Sequence, residues 1–307
     1  MLAIVCPGQG SQTQGFFSEW ISDDASRARL TSYSESSETD LLTHGTVSDE
    51  STIRDTAIAQ PLIVAASLLS ARALDLSNLN PDRVLYAGHS VGEVPAAVLA
   101  GVFTEEQALQ LISVRAKSMA EAAAATPTAM AAVLGGVEEE VRQAIADAGL
   151  TAANVNGPGQ IVAAGAVEQI KALESNPPAR ARVITLKVAG AFHTDFMGSA
   201  QEVLRNSVGD FSVTEPHSPL LSNRDGGYVE SGDDALRRIL DQVTRPVRWD
   251  LCMKTMETAG VTGILELLPG GTLTGLAKRG LKGVKSMAVK TPADVAAAQE
   301  FIAEHAG

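Results

Sequence analysis

Gly88-His89-Ser90-Val91-Gly92 decides the fold, because it places a G-x-S-x-G motif between two different kinds of element. The apolar run Val84-Leu85-Tyr86-Ala87 before it is typical of a buried strand, and the alanine-rich residues 94–100 after it have helical character. Glycines on both sides of the serine allow a sharp strand-to-helix turn that exposes the hydroxyl above a sheet. The stretch therefore predicts a nucleophilic Ser90. The alternative is a tight turn whose serine only caps the helix.

The composition narrows the class of protein around this motif. The chain has 307 residues, enough for one large α/β domain or a domain with an insertion. Its net charge of -12 excludes nucleic acid as a partner, because no basic field is available to meet phosphates. The five histidines are scattered without metal-ligand spacing, so no metal site is expected.

The sequence also predicts where the protein works. Cys6 and Cys252 lie far apart in the chain, as expected of reduced thiols in a cytoplasmic protein. Residues 2–6 are too short for a signal-peptide core and lack a basic lead. We expect no stretch long enough to span a membrane, and so no membrane partner.

Strands and helices are expected to alternate on either side of the motif. Residues 2–6 form the first strand, and residues 31–52, rich in Ser, Thr, Asp and Glu, read as a solvated surface segment. Helices are predicted at 58–74, with Pro61 in the first turn, and at 105–124, capped by Thr104. After residue 190, helices are predicted at 195–206, at 233–243 and from 271, with a strand at 263–267.

Between these parts lies a run with the order βαββαβ, which is the ferredoxin-like pattern. Its predicted strands are 129–134, 151–155, 160–164 and 182–188, and its predicted helices are 138–148 and 167–174. The chain is therefore predicted to have a large α/β domain, 1–126 and 190–307, with a parallel sheet. A small ferredoxin-like subdomain, 127–189, is inserted into it.

A serine nucleophile needs a base, and His193 is the strongest candidate. It lies where the inserted module returns to the main domain, at a strand-to-helix loop, and such loops collect catalytic groups. The side chain of His89 should point away from the hydroxyl. In α/β-hydrolases the triad follows the chain order serine, aspartate or glutamate, histidine, but no such orienting aspartate is found between Ser90 and His193. Another group must therefore orient the imidazole.

Two further features bear on the chemistry. The glycine-rich Gly8-Gln9-Gly10 lacks the third glycine of a dinucleotide loop, because position 13 is Thr13. Its small residues would instead let Gln9 approach a reacting centre, or they form a simple turn. Arg115 has apolar neighbours on its helix, where a guanidinium can grip a carboxylate in a bidentate pair or form a structural salt bridge.

Over nearly its whole length the chain resembles the malonyl-CoA:acyl carrier protein transacylases of fatty-acid synthesis, and it is similar to the acyltransferase domains of polyketide synthases. The motifs that carry the resemblance occur in the family's order: Pro7-Gly8-Gln9-Gly10-Ser11-Gln12, Gln60-Pro61, Gly88-His89-Ser90-Val91-Gly92-Glu93, Asn154-Val155-Asn156-Gly157-Pro158-Gly159-Gln160, Gly190-Ala191-Phe192-His193, Gln242-Val243-Thr244-Arg245-Pro246-Val247-Arg248-Trp249, Pro269-Gly270-Gly271 and Leu276-Ala277-Lys278-Arg279. Departures are small: Val91 stands where leucine is frequent, and Glu266-Leu267-Leu268-Pro269-Gly270 where Gly-Pro-Gly is common.

The resemblance implies a role for each matching residue. Ser90 would be acylated with His193 as its base, and the main-chain carbonyl of Gln242 would orient the imidazole. The amides of Gln9 and Val91 would form the oxyanion hole, and Arg115 would bind the malonyl carboxylate. Asn156 and Gln160 match a loop near the substrate, and Phe192 resembles the malonyl-selective pattern. The fold implied is α/β-hydrolase-like with a ferredoxin-like insertion.

The expected reaction is transfer of malonyl from malonyl-CoA to the phosphopantetheine thiol of acyl carrier protein, with no cofactor and no metal. The partners are therefore malonyl-CoA and acyl carrier protein, and we expect a monomer. Three alternatives use the same residues: a lipase-like or patatin-like serine hydrolase, a malonyl transferase of a malonate decarboxylase or polyketide pathway, and a non-catalytic carrier-binding subunit.

Overall fold

The computed structural model describes residues 1–76, 79–209 and 211–307. The strands in these residues are β1 (Leu2–Cys6), β2 (Val84–Gly88), β3 (Thr128–Gly135), β4 (Thr151–Val155), β5 (Gln160–Ala166), β6 (Ala181–Thr185), β7 (Val247–Arg248), β8 (Gly263–Glu266) and β9 (Lys285–Ala288). The helices are α1 (Asp24–Ser37), α2 (Leu41–Thr46), α3 (Glu50–Arg54), α4 (Thr56–Leu74), α5 (Glu93–Leu99), α6 (Glu105–Ala125), α7 (Glu138–Asp147), α8 (Val167–Ser175), α9 (Gly198–Ser207), α10 (Gly232–Gln242), α11 (Trp249–Thr258), α12 (Thr272–Gly280) and α13 (Val295–Ala306).

The first sheet is parallel, in the order β2-β1-β8-β9, as predicted for the large α/β part of the chain. Successive side chains of β1 alternate between its two faces. Leu2, Ile4 and Cys6 enter one hydrophobic core, whereas Ala3 and Val5 enter another, so both faces are covered. The carboxyl ends of parallel strands share one edge, and β2 ends there immediately before Ser90.

The second sheet has the order β6-β3-β5-β4-β7. Its first four strands pair antiparallel, in the strand order 4-1-3-2 of the predicted ferredoxin-like module. Helices α7 and α8 cover it with Val141, Ile145, Ile170 and Leu173. The short strand β7 joins parallel to β4 and comes from outside residues 127–189. The division of the chain into domains at 126 and 190 stays a prediction.

Residues 31–52 are mostly exposed or half-buried, as expected of a solvated surface segment, but they are also largely helical, and α1, α2 and α3 were not predicted. Each of these helices begins at an aspartate whose carboxylate accepts a hydrogen bond from a backbone N–H of the first turn, at Asp23, Asp40 and Asp49. The polar composition belongs to their outer faces, while Tyr33 and Leu41 are buried.

Helix α4 corrects two further expectations. It begins at Thr56, so Pro61 lies in the second turn rather than the first. Its 19 residues are also long and apolar enough to cross a membrane, with a mean hydropathy of 1.6 over an 18-residue stretch, although no such stretch was expected. Because 78% of that stretch is buried inside the fold, its hydropathy is that of a core helix.

Candidate active site

Ser90 lies at the turn between β2 and a 3₁₀ helix, Ser90–Gly92, that leads into α5. Its φ of 54° falls in the left-handed region, which residues other than glycine rarely adopt. A Cβ on Gly88 would lie 1.9 Å from the carbonyl carbon of Gly92, and one on Gly92 would lie 2.2 Å from the carbonyl oxygen of Cys6. The turn therefore needs both glycines. The N-cap of α5 is Gly92 and not the serine, so capping does not account for Ser90.

The hydroxyl of Ser90 faces His193, the residue that the sequence analysis named as the candidate base. The distance from Ser90 Oγ to His193 Nε2 is 2.7 Å, and His193 Nδ1 lies 2.8 Å from the main-chain carbonyl oxygen of Gln242. A carbonyl only accepts hydrogen bonds, so Nδ1 carries the proton and Nε2 is free to accept from the serine. The carbonyl thus fixes the tautomer that a general base requires, without an aspartate.

The surroundings of His193 keep its imidazole neutral. Its side chain is buried, and this burial lowers the pKa to about 3, with a further lowering from the positive charge of Arg115. The hydrogen bond to the Gln242 carbonyl acts in the opposite direction but is the weaker influence. A neutral imidazole is the form that can take a proton from a hydroxyl.

Arg115 projects from α6 with only 1% of its surface exposed. Its Nη1 donates to Gln60 Oε1, and its Nη2 donates to Gln242 Oε1 at 2.9 Å. Among the described residues its Nε has no hydrogen-bond partner. Burial lowers the pKa of the guanidinium to about 10, and the charge of Glu93 opposes that shift. Arg115 is therefore a buried cation with hydrogen-bonding capacity to spare at neutral pH.

A cleft of about 210 Å³ brings together eight of the nine residues predicted for the site. Its walls include Gln9, Ser90, Val91, Arg115, Asn156, Gln160, Phe192 and His193. Gln242 lies behind this wall, in contact with Arg115 and His193. The loops after β1 and β2, helix α6 and the second sheet all contribute, so the cleft lies between the two sheets.

The second sheet reaches the cleft through two side chains with definite partners. Asn156 Oδ1 lies 2.8 Å from His89 Nε2, which confirms that His89 points away from the hydroxyl. The oxygen of the Gln160 side chain accepts a 2.9 Å hydrogen bond from Arg279 Nη2 on α12. These contacts tie the loop between β4 and β5 to the nucleophile turn and to α12.

Sequence reasoning missed three polar residues that hold the site. Gln60 was quoted within a motif but given no role, and it binds Arg115. Asn223 is fully buried and holds the backbone on both sides of the turn, through Ser90 N–H and the Gly88 carbonyl. Glu93, also buried, accepts from Asn223 N–H and Gln242 Nε2. Gln60 and Glu93 both stand in motifs of the resemblance, which was the available signal, whereas Asn223 stands in none of them.

The chain matches known proteins over nearly its whole length. A family model described as an acyl transferase domain matches residues 3–297. A malonyl CoA-acyl carrier protein transacylase of Mycobacterium tuberculosis, strain H37Rv, is 45% identical over 296 residues, which cover 96% of this chain and 98% of the relative.

Solved structures agree with this match. The crystal structure of a protein named MCAT from Mycobacterium tuberculosis superposes with a TM-score of 0.92 at 45% identity, covering 96% of this chain and 98% of that one. A malonyl-transacylase solved in complex with a type II PKS acyl-carrier protein is 29% identical with a TM-score of 0.88, covering 97% and 99%. On this evidence, together with the site geometry, the chain belongs to the acyl transferase family.

Proposed function

We propose that this protein transfers the malonyl group from malonyl-CoA to the phosphopantetheine thiol of acyl carrier protein, through a malonyl ester on Ser90, in fatty-acid biosynthesis. The observation that carries the proposal is one cleft in which Ser90, His193 and a buried Arg115 converge. The 45% identity to a relative named for this reaction supports the same substrates.

The first half-reaction acylates the serine. Nε2 of His193 takes the hydroxyl proton while Ser90 Oγ attacks the thioester carbon of malonyl-CoA, over the 2.7 Å contact described above. The backbone N–H groups of Gln9 and Val91, both on the cleft wall, would stabilise the oxyanion of the tetrahedral intermediate. The C–S bond then breaks, and His193 returns its proton to the CoA sulfur.

The second half-reaction runs the same steps in reverse with a different thiol. The phosphopantetheine thiol of the carrier gives its proton to His193 and attacks the ester carbonyl, and Ser90 Oγ leaves and recovers the proton. A neutral His193 suits both steps, because it must accept a proton from an incoming nucleophile each time. Asn156 and Gln160 would contact the substrate from the second sheet.

The charge of Arg115 supports a dicarboxylic acyl group. Its guanidinium faces the cleft from a fully buried position, where a substrate carboxylate would meet it away from water. A charge-assisted bidentate pair in such a place is strong and directional. An uncharged acyl group would leave the cation unpaired, which costs free energy, so acetyl-CoA should be a poor donor.

The proposal needs no cofactor beyond the two substrates, because the phosphopantetheine arrives on the carrier. We place the reaction in the cytoplasm and expect a monomer, which light scattering after gel filtration would check. The polyketide pathway is the second candidate, favoured by the likeness to a transacylase solved with a polyketide carrier protein. Transfer rates to carriers of the two pathways, compared side by side, would separate them.

Intact-mass spectrometry after mixing with malonyl-CoA tests the proposal. The expected result is one malonyl adduct on the wild-type protein and none on Ser90→Ala. Adding carrier protein should move the adduct to the carrier, whereas a lipase-like or patatin-like hydrolase would release free malonate. A malonyl adduct retained by Ser90→Ala would contradict the assignment of the nucleophile.

A further inference from the structure

The side chain of Gln242 lies between a buried cation and a buried anion. Its Oε1 accepts the 2.9 Å hydrogen bond from Arg115 Nη2, while its Nε2 donates to the carboxylate of Glu93 and, at 3.1 Å, to the Ser90 carbonyl. An amide has one accepting end and one donating end, so these partners determine which way it points. Gln242 itself is only 4% exposed, so water does not compete for these bonds.

Glu93 is the anion of this arrangement. It is 4% exposed and begins α5, and its two oxygens accept from Asn223 N–H and from Gln242. Burial raises the pKa of its carboxyl to about 7, while these hydrogen bonds and the charge of Arg115 favour the ionised form. In turn, the charge of Glu93 is what opposes the effect of burial on Arg115.

Glu93 and Arg115 nevertheless make no direct ion pair in the part of the chain that the structure describes. The amide of Gln242 occupies the space between them. A direct pair would place carboxylate oxygens on the guanidinium edge that a substrate carboxylate would use. A buried guanidinium with no counter-charge at all would be costly. An interposed amide avoids both problems.

We propose that Glu93 and the Gln242 side chain are a positioning pair for Arg115: Glu93 supplies the buried counter-charge, and the amide of Gln242 holds that carboxylate away from the guanidinium, which stays open to the acyl carboxylate. This inference rests on the proposed function, in which Arg115 binds the malonyl group. It assigns the Gln242 side chain a task separate from its main-chain carbonyl, which holds His193.

A charge-conserving exchange tests the pair. The double variant Glu93→Gln, Gln242→Glu keeps the total charge and the main-chain carbonyl at 242, but it brings a carboxylate directly onto Arg115. The expected result is a KM for malonyl-CoA raised about 10-fold or more, while acylation by acetyl-CoA changes far less. If charge alone mattered, the exchanged protein would keep the wild-type KM, and that result would overturn the proposal.

Gln242→Ala is the second variant, in case the exchange does not fold. It keeps the carbonyl that holds His193 and removes only the amide. We expect the malonyl-to-acetyl ratio of acyl-enzyme formation to fall about 10-fold with a smaller change in the acetyl rate. An unchanged ratio would overturn the proposal, since a purely structural side chain would slow both donors alike.

Two controls separate the possible failures. Asp234→Asn removes another buried carboxylate from α10, the helix that carries Gln242, but Asp234 binds Arg237 and Arg238 instead of the site. It should lower stability without moving the malonyl-to-acetyl ratio, and a shifted ratio would count against the pair. Arg115→Ala should lower the ratio by itself. If the ratio stays unchanged in Arg115→Ala, Arg115 does not bind the acyl carboxylate, and the proposed function is wrong on this point independently of the positioning pair.

Discussion

Asn223 Oδ1 accepts a 2.7 Å hydrogen bond from the backbone N–H of Ser90. The other end of the same amide donates, also at 2.7 Å, to the carbonyl of Gly88. One buried side chain therefore satisfies the two backbone groups that the left-handed turn at Ser90 takes out of regular pairing. Because the Ser90 N–H is used in this way, the amides left for an oxyanion are those of neighbouring residues.

Replacing Asn223 by alanine should loosen the turn. Asn223→Ala leaves a buried N–H and a buried carbonyl without partners, and each costs about 1–3 kcal/mol. We expect a comparable loss in the free energy of unfolding, measured with urea, and single-turnover acylation slowed about 10-fold or more as Ser90 shifts. Asn176→Ala, at an exposed helix end, is the control and should change stability by less than about 0.5 kcal/mol. If Asn223→Ala were acylated at the wild-type rate, this role of Asn223 would be contradicted.

The rate of acylation should not depend on pH in the way that an ordinary histidine base, with a pKa near 6.5, would cause. The base must be neutral, and a pKa of about 3 keeps His193 neutral throughout the usual assay range. We therefore expect that protonation of His193 does not lower the single-turnover rate of acylation as the pH falls from 7.5 to 5.5. An ordinary histidine would lower that rate with a midpoint near pH 6.5. Glu93 can titrate in that range, because burial raises its pKa to about 7.

Glu93→Gln separates the two groups. A transition near neutral pH that disappears in this variant belongs to Glu93. A fall in the acylation rate around pH 6.5 that persists in Glu93→Gln would show that His193 titrates normally. That result would contradict the buried, neutral state of His193.

Local patterns account for the parts of the fold that the sequence predicted. The second sheet was predicted because its strands alternate with short amphipathic helices and are separated by glycine-containing turns such as Gly157 and Gly159, both at positive φ. Strand β7 was missed because it has two residues and pairs with β4 only through the fold. Helices α1 to α3 were missed because their apolar residues are few and their polar caps resemble a loop.

The residues of the site also divide into those that local sequence predicts and those that depend on the tertiary fold. Ser90 follows from a motif of five adjacent residues. His193 was proposed from its loop position, Arg115 from its apolar neighbours on a helix, and Gln242 from the resemblance. Asn223 and Glu93 could not be predicted in their roles, because each acts across a large separation in sequence: Asn223 contacts Ser90 133 residues away and Glu93 130 residues away. Such contacts exist only after the segment around Leu220 has packed beside β2.

The carrier protein should dock on local basic charge, because carrier proteins are acidic and this chain has a net charge of -12. The candidate surface consists of seven exposed residues: Arg180, Arg182, Lys187, Lys278, Arg279, Lys282 and Lys285. Two of them already have partners, since Arg279 donates to Gln160 and Lys285 pairs with Glu304.

Charge reversal should locate this surface. Changing the residues at 180, 182 and 187 to glutamate in one variant, and those at 278 and 282 in another, should slow transfer to carrier about 10-fold at the true surface and reduce its salt dependence. Acylation by malonyl-CoA should stay unchanged. Lys171→Glu, on α8 and paired with Glu168, is the control. If neither variant changes transfer, carrier binds elsewhere.

The choice between malonyl and methylmalonyl groups should depend on Phe192. Its ring lies on the cleft wall next to His193, 7% exposed, in the same cleft as Ser90. A rigid ring beside the acyl α-carbon leaves little room for a branching methyl, and one misplaced methyl typically changes discrimination by about 1–3 kcal/mol. We therefore expect wild-type acyl-enzyme to form with malonyl-CoA in preference to methylmalonyl-CoA, and with both in preference to acetyl-CoA.

Phe192→Ser should narrow the preference for malonyl over methylmalonyl by roughly 10-fold or more, because the smaller side chain opens space where the methyl would lie. Its effect on acetyl-CoA should be small, since acetyl has no branch and no carboxylate for Arg115. Phe196→Ser, at a residue four positions further along that is 43% exposed, is the matched control and should leave the ratio unchanged. The measurement is competition between the three CoA esters, scored by the mass of the acyl-enzyme. Equal labelling of the wild-type protein by malonyl and methylmalonyl would defeat the steric argument, whereas a narrowed ratio in Phe192→Ser alone would place the discrimination at this ring.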